Sequence, residues 1–163
     1  MLNHPTLIET LKNIPWFLDL NDRQIEALAG ISLIQDVPAG KNIFCEGDRV
    51  DNLFIILSGE VGVDMAVPSR GQVRIYVGEA LDIIGWSKMT PVVRQRTAST
   101  TALSNTRLLV LNGDALQDLC EEDARIGFVV MRRLANVVAS NLLTVKLQMM
   151  DLILQSSQAI ADQ

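Results

Sequence analysis

Between Ile31 and Leu111, glycines at positions 40, 47, 59, 71, 78 and 85 punctuate short apolar or alternating runs. That rhythm leaves room for strands of roughly four to eight residues joined by tight turns, as in an all-β sandwich or barrel. "NLFIIL" at 52–57 is β-branched and aromatic enough for a central strand. Val61, Val63 and Met65 alternate, the "VPSRGQ" stretch reads as a hairpin tip, and Val73, Ile75 and Val77 resume the alternation. "TASTTAL" and "TRLLVL" supply two later strands joined by "SN".

On both sides of this region the apolar period lengthens. Leu7, Ile8, Leu11 and Ile14 form one helical stripe, with Thr6 and Glu9 at capping-box spacing and Pro15 as its stop. A second short helix is expected from Asn21, with Gln24 three positions on and Gly30 as its C-terminal cap. Past Leu111, "NGDALQDLCEED" reads as a short helix capped by Asn112 or Asp114. From about Asp123 a long helix follows, its seam formed by Met131, Leu134, Val138, Asn141, Val145, Met149 and Leu152, with Leu142 widening it. The expected organisation is a helical segment at 1–30, a β core at 31–122, a long helix at 123–155 and a frayed tail at 156–163. With 163 residues and 48% hydrophobic side chains, the chain has material for one core.

Several function classes are disfavoured by composition. A net charge of −5 and a pI near 4.8 lack the concentrated Lys and Arg that phosphate neutralisation demands. Cys45 and Cys120 are far apart and have no CxxC or histidine companion, so no zinc or iron–sulfur site assembles from them; both are expected as buried thiols of a reducing cytoplasm. His4 is the single histidine and sits at one end, which leaves no Ser-His or Cys-His pair and no catalytic assignment. Glu121 and Glu122 read as solvated charge. The start lacks a signal-peptide pattern, and the apolar tract from Ile126 to Leu154 is interrupted by charged and amide side chains, so a soluble cytoplasmic protein with no membrane contact is expected.

Two blocks carry a resemblance. "PAGKNIFCEGDRVDNLFIILSGEVGV" at 38–63, and "IIGWSKM" at 83–89 followed by "RTAS" at 96–99, make the chain similar to the cyclic nucleotide-binding domain family, which includes catabolite activator type regulators and regulatory subunits of cyclic-nucleotide-dependent kinases. The resemblance runs from about Ile14 to Leu143. It implies an eight-stranded double-stranded β-helix, or jelly roll, with N-terminal helices and a long C-terminal dimerisation helix.

It also implies a phosphate-binding cassette, a short helix whose leading amides face the cyclic phosphate of a ligand such as cAMP or cGMP. Gly85 would let the backbone approach. Arg96 matches the cassette arginine, whose planar fork holds two phosphate oxygens, and Thr97 matches the adjacent small donor. Arg94 reads rather as a solvated loop residue, although it would lie on the same side as a second cation if the segment is extended. Trp86 stands where the family places an acidic acceptor for the ribose 2′-hydroxyl; its indole only donates, so it either stacks on a ligand ring or plugs the pocket. Ser87 offers a weaker acceptor, whereas Glu79 and Asp82 read as turn residues. In the long helix, "ANVVASN" places Val137 and Val138 among the polar Asn136, Ser140 and Asn141 where some relatives read the base.

The expected function is a small-ligand sensor that binds a cyclic nucleotide or related anion and signals through a homodimer or a partner, without a DNA-binding domain, an enzymatic activity or a metal. The alternatives are a ligand-independent dimeric interaction protein with Trp86 filling the pocket, and a sensor domain excised from a transcription regulator.

Overall fold

The structure is a computed structural model that describes residues 4–49, 51–90, 93 and 95–161. The chain divides into two compact units, Met1–Val129 and Val130–Gln163.

The first unit opens with helix α1 (His4–Lys12), a 3-10 turn at Pro15–Phe17 and helix α2 (Asp22–Gly30). Helix α1 begins upstream of Thr6, so the Thr6/Glu9 pair is not its capping box; the Thr6 carbonyl instead accepts from Thr10 Oγ1 at 2.8 Å, inside the helix. Asn21 and Gln24 do form a capping box on α2, each side chain accepting from the other's backbone amide at 3.0 Å. Gly30 closes α2 as its last residue, and Ile31, with φ −106°, follows as the cap.

Eight strands come next: β1 (Ser32–Val37), β2 (Asn42–Phe44), β3 (Asn52–Ser58), β4 (Val61–Val67), β5 (Gly71–Gly78), β6 (Ile83–Ile84), β7 (Ser99–Ala102) and β8 (Thr106–Asn112). They pair antiparallel in two four-stranded sheets, β1-β8-β3-β6 and β2-β7-β4-β5. This is the jelly roll expected from the sequence.

Period-two alternation sorts the side chains of the first sheet. Val37, Phe54, Ile56, Ile84, Leu108 and Val110 face Val61 and Ala102 of the second sheet and form the inter-sheet core. Leu53, Ile55, Leu109 and Leu111, one residue out of step, are equally buried, and Leu11, Ile25, Leu28 and Leu116 of the flanking helices are buried with them. Strands covered on both faces read as continuous apolar runs, which is why "NLFIIL" shows no alternation. Along β4 and β5 burial fades toward the hairpin tip: Val61 is fully buried, while Met65, Ile75 and Val77 are about 40% exposed.

After β8, Asn112 caps helix α3 (Gly113–Glu122) by accepting from the Ala115 amide. Helix α4 (Ala124–Ala161) is preceded by Asp123, whose carboxylate accepts from the Arg125 and Ile126 amides, and it runs past the point where the sequence pattern fades. Between Ala124 and Leu154 α4 is long and apolar enough to cross a bilayer, with an 18-residue stretch of mean hydropathy 1.4. The expected charged interruptions are present as Arg125, Arg132, Arg133, Lys146 and Asp151, but none falls within 134–145. Cys45 and Cys120 are free and half-buried rather than buried, and burial pushes the Cys120 thiol up to about 11.

Candidate functional site

Strand β6 is followed by Gly85, which adopts φ +72° and caps a one-turn 3-10 helix, Trp86–Met89. Glycine is required here twice over: the left-handed backbone disfavours other residues, and a Cβ would lie 2.5 Å from Arg96 Nη1. Lys88 donates to the Gly85 carbonyl from the far end of the turn, and the Ser87 carbonyl accepts from both the Thr90 amide and its hydroxyl.

Arg96 comes from the other end of the insert. Its backbone is held by the "CEGD" turn, with Gly47 N donating to its carbonyl at 2.9 Å and its own amide donating to the Asp48 carbonyl at 2.8 Å. The two blocks that carried the family resemblance are therefore one hydrogen-bonded unit. The side chain is buried, 4% exposed. Nη1 donates to the Gly85 carbonyl (2.9 Å) and Nη2 to the Asn52 carbonyl (2.6 Å), and the guanidinium lies 4.2 Å from the Phe44 ring centroid. Phe44 in turn stacks on Phe54 of the inter-sheet core, with centroids 5.7 Å apart.

Nε of Arg96 is buried without a hydrogen-bond partner. Desolvation pushes the guanidinium below its ordinary pKa, opposed by the fields of Asp51 and Asp48. The site thus holds a buried cation balanced by carbonyl dipoles, an aromatic face and carboxylates that do not touch it.

Among the sequence-selected residues, Gly85 and Arg96 meet directly. Trp86 and Ser87 follow Gly85, the first half-buried and the second buried; Thr97 is exposed beside Arg96. Arg94 lies outside the described residues. Asp82 is engaged in its turn, accepting from the Glu79 amide and the Tyr76 hydroxyl, in keeping with a turn role. On α4, Asn136 and Ser140 are exposed, and Val137 and Asn141 are half-buried.

Three participants escaped the sequence reading. Phe44 looked like an ordinary strand residue. Asn52 acts through its carbonyl, which leaves no side-chain signature. Lys88 ties the 3-10 turn to α3 through an ion pair with Asp114 and through its carbonyl, which accepts from Gln117; Gly113 has no side chain because a Cβ would meet Lys88 Cγ at 2.2 Å.

An open groove of about 690 Å³ adjoins the same "CEGD" turn, lined by residues including Asn42, Cys45, Glu46, Gly47, Asp64, Ser99 and Thr101 but not by Arg96. Four of its polar side chains are engaged: Glu46 accepts from the Ala66 amide, Ser99 from the Glu46 amide, Asn42 from Thr101, and Asp64 pairs with Arg74. Among the described residues that line it, none is a buried cation like Arg96.

The family model described as "Cyclic nucleotide-binding domain" matches residues 34–123, more than half of the chain. A "CRP-like cAMP-activated global transcriptional regulator" of Mycobacterium tuberculosis is 30% identical over 101 residues, covering 61% of this chain and 44% of that protein. The chain thus spans less than half the length of this curated relative. A cyclic nucleotide-binding domain from Methylobacillus flagellatus superposes with TM-score 0.75 at 27% identity, covering 91% of this chain and 83% of that one. The N-terminal domain of a transcriptional regulator from Streptomyces coelicolor superposes with TM-score 0.64 at 25% identity, covering 80% of this chain and 93% of that one.

Proposed function

Because the chain belongs to the cyclic nucleotide-binding domain family, we propose that it is a cytoplasmic, non-enzymatic sensor that takes a cyclic nucleotide, cAMP or cGMP, or a related small anion at the Gly85–Arg96 cassette. The observation that supports this most is the buried Arg96 guanidinium, which has no touching carboxylate among the described residues and whose Nε lacks an acceptor. An anionic oxygen would give that cation the counter-charge it lacks, and hydrogen bonds to charged groups are the strong ones. Gly85, Trp86 and Ser87 would form the floor, Arg96 the charge and Thr97 a rim donor. Occupancy is signalled through a homodimer formed by the long helix, or through a partner protein.

A second reading, a ligand-independent dimeric interaction protein, draws on the same side chain. Both terminal nitrogens of Arg96 are already engaged by the Gly85 and Asn52 carbonyls, as they would be in a purely structural latch.

Thermal denaturation with millimolar cAMP, cGMP or a cyclic dinucleotide separates the two, since a ligand bound only by the folded state stabilises it by RT ln(1 + [L]/Kd). A rise in Tm with at least one of them, accompanied by a change in tryptophan fluorescence, is the expected result. No rise with any of them would favour the latch.

A further inference from the structure

Strand β7 sends its hydroxyls to two faces. Ser99 and Thr101 line the open groove and are engaged there with Glu46 and Asn42, whereas Thr100, between them, turns the other way and is 1% exposed. Its register partners are Phe44 of β2 and Val63 of β4, and Val63 is paired in turn with Tyr76 of β5. Directly opposite residues of antiparallel strands share a face, with Cβ atoms about 4.5–5.5 Å apart. Phe44, Thr100, Val63 and Tyr76 therefore form one row across the second sheet, on the face that Phe44 packs against the inter-sheet core. The other three members are apolar or aromatic, and a valine would fill the place of Thr100 with nearly the same shape.

Thr100 Oγ1 is buried without a hydrogen-bond partner among the described residues. Burying an unmet hydroxyl is unfavourable, and such groups in native structures mark strain, a functional site or a guest. Arg96 Nε is in the same condition, and its guanidinium stands 4.2 Å from the centroid of the Phe44 ring, the neighbour of Thr100 in the row. Both terminal nitrogens of Arg96 are taken by the Gly85 and Asn52 carbonyls. The fork that the family resemblance assigns to two phosphate oxygens is thus occupied. What remains is one N–H and one O–H beside the same aromatic ring, two donors that suit a single anionic oxygen.

We propose that Thr100 is a ligand-binding residue of the cassette, its hydroxyl and Arg96 Nε donating together to one exocyclic phosphate oxygen of a cyclic nucleotide. The inference rests on the sensor reading of the site and adds the residue and the atoms that hold the anion. The row also gives the guest a direction. Exposure rises along it from Thr100 through half-buried Val63 to Tyr76, 40% exposed on the edge strand, so the anionic end lies at the covered end and the rest of the nucleotide toward β5. Both donors are covered, so a ligand reaches them by displacing side chains from the Tyr76 end. Thr97, the hydroxyl that the resemblance singles out, is exposed and lies outside the row.

Thr100→Val removes the hydroxyl and keeps the shape. Without ligand it is expected to raise Tm by about 2–4 °C, because an unmet buried hydroxyl is relieved. Isothermal titration of the full chain with cAMP and with cGMP should show about tenfold weaker binding of whichever nucleotide the wild type takes, as the loss of one donor to a charged acceptor implies. Thr100→Ser, which keeps the O–H, should bind like wild type. The two phosphorothioate diastereomers of that nucleotide, each with sulfur in place of one exocyclic oxygen, locate the contact. Sulfur accepts weakly, so Thr100→Val should cost little with one diastereomer and about tenfold with the other. A Tm without ligand that stays level or falls in Thr100→Val would mean that the hydroxyl is already satisfied, and would overturn the proposal. Unchanged affinity, or equal losses with both diastereomers, would do the same while leaving the sensor reading in place. A wild type that binds neither nucleotide would overturn the sensor reading and the role of Thr100 with it.

Discussion

Arg96 Nη1 donates to the carbonyl of Gly85 across 2.9 Å, and a Cβ on residue 85 would stand 2.5 Å from that same nitrogen. The turn that opens the cassette and the cation that closes it therefore share one space. Gly85→Ala combines a strained left-handed backbone with displacement of the guanidinium. Strain of the first kind alone costs about 1–3 kcal/mol. A loss of at least about 2 kcal/mol in urea unfolding is expected, together with loss of any Tm rise caused by nucleotide.

For Arg96 itself the sequence suggests a side chain free for a ligand, whose removal would leave the apo protein nearly unchanged. Its burial against Phe44 reverses that expectation. Arg96→Ala strips the Gly85 and Asn52 carbonyls of their donors and empties the space above Phe44. With hydrogen bonds to charged groups worth about 1.5–3 kcal/mol, a destabilisation of about 2–4 kcal/mol is expected. Arg96→Lys should recover only part of it, because an ammonium cannot reach two divergent carbonyls while stacking on a ring. Chemical denaturation of the three proteins without ligand checks this.

The contrast shows where sequence is informative. The strands and the Asn21/Gln24 cap were legible because side-chain period and hydrogen-bonding chemistry act locally. Gly85 and Arg96 were legible as a pair only through resemblance. Nothing in the spacing of 85 and 96 states that the guanidinium turns onto Phe44, 52 residues upstream of it. Nor does any side chain announce the Asn52 carbonyl, and the Lys88 tether to α3 depends on Asp114, which the sequence offered equally as a helix cap. Long-range contacts made through backbone atoms leave the weakest trace in a sequence.

Asp123 joins two helices that the sequence treats separately. Its carboxylate accepts from Gln24 Nε2 of α2 at 2.9 and 3.1 Å and from the Ile126 and Arg125 amides at the start of α4. The hydrogen bond from Gln24, then the one from the Ile126 amide, hold its pKa below the ordinary carboxylate value. A group depressed in the folded state contributes stability that is present above its unfolded pKa and is lost as pH falls through the folded one. Wild-type Tm should therefore drop on acidification below about pH 4. Asp123→Ala should have a lower Tm at pH 7 and a shallower acid decline. Scans at stepped pH values test this, and parallel curves for the two proteins would remove Asp123 from the acid response.

Trp86 sets the outcome at the other end of the cassette. Directly after Gly85, and half-buried, it presents an indole that donates through one N–H and accepts nothing. A ligand hydroxyl seeking an acceptor there finds none on this side chain. Trp86→Glu supplies one, and a hydrogen bond to a charged group is worth enough to tighten cAMP binding by about one to two powers of ten. Isothermal titration of wild type and Trp86→Glu with cAMP reads the change directly, with 2′-deoxy-cAMP as the control that should gain nothing. If both nucleotides gain equally, Trp86 acted by bulk, and its removal rather than the new carboxylate opened the site.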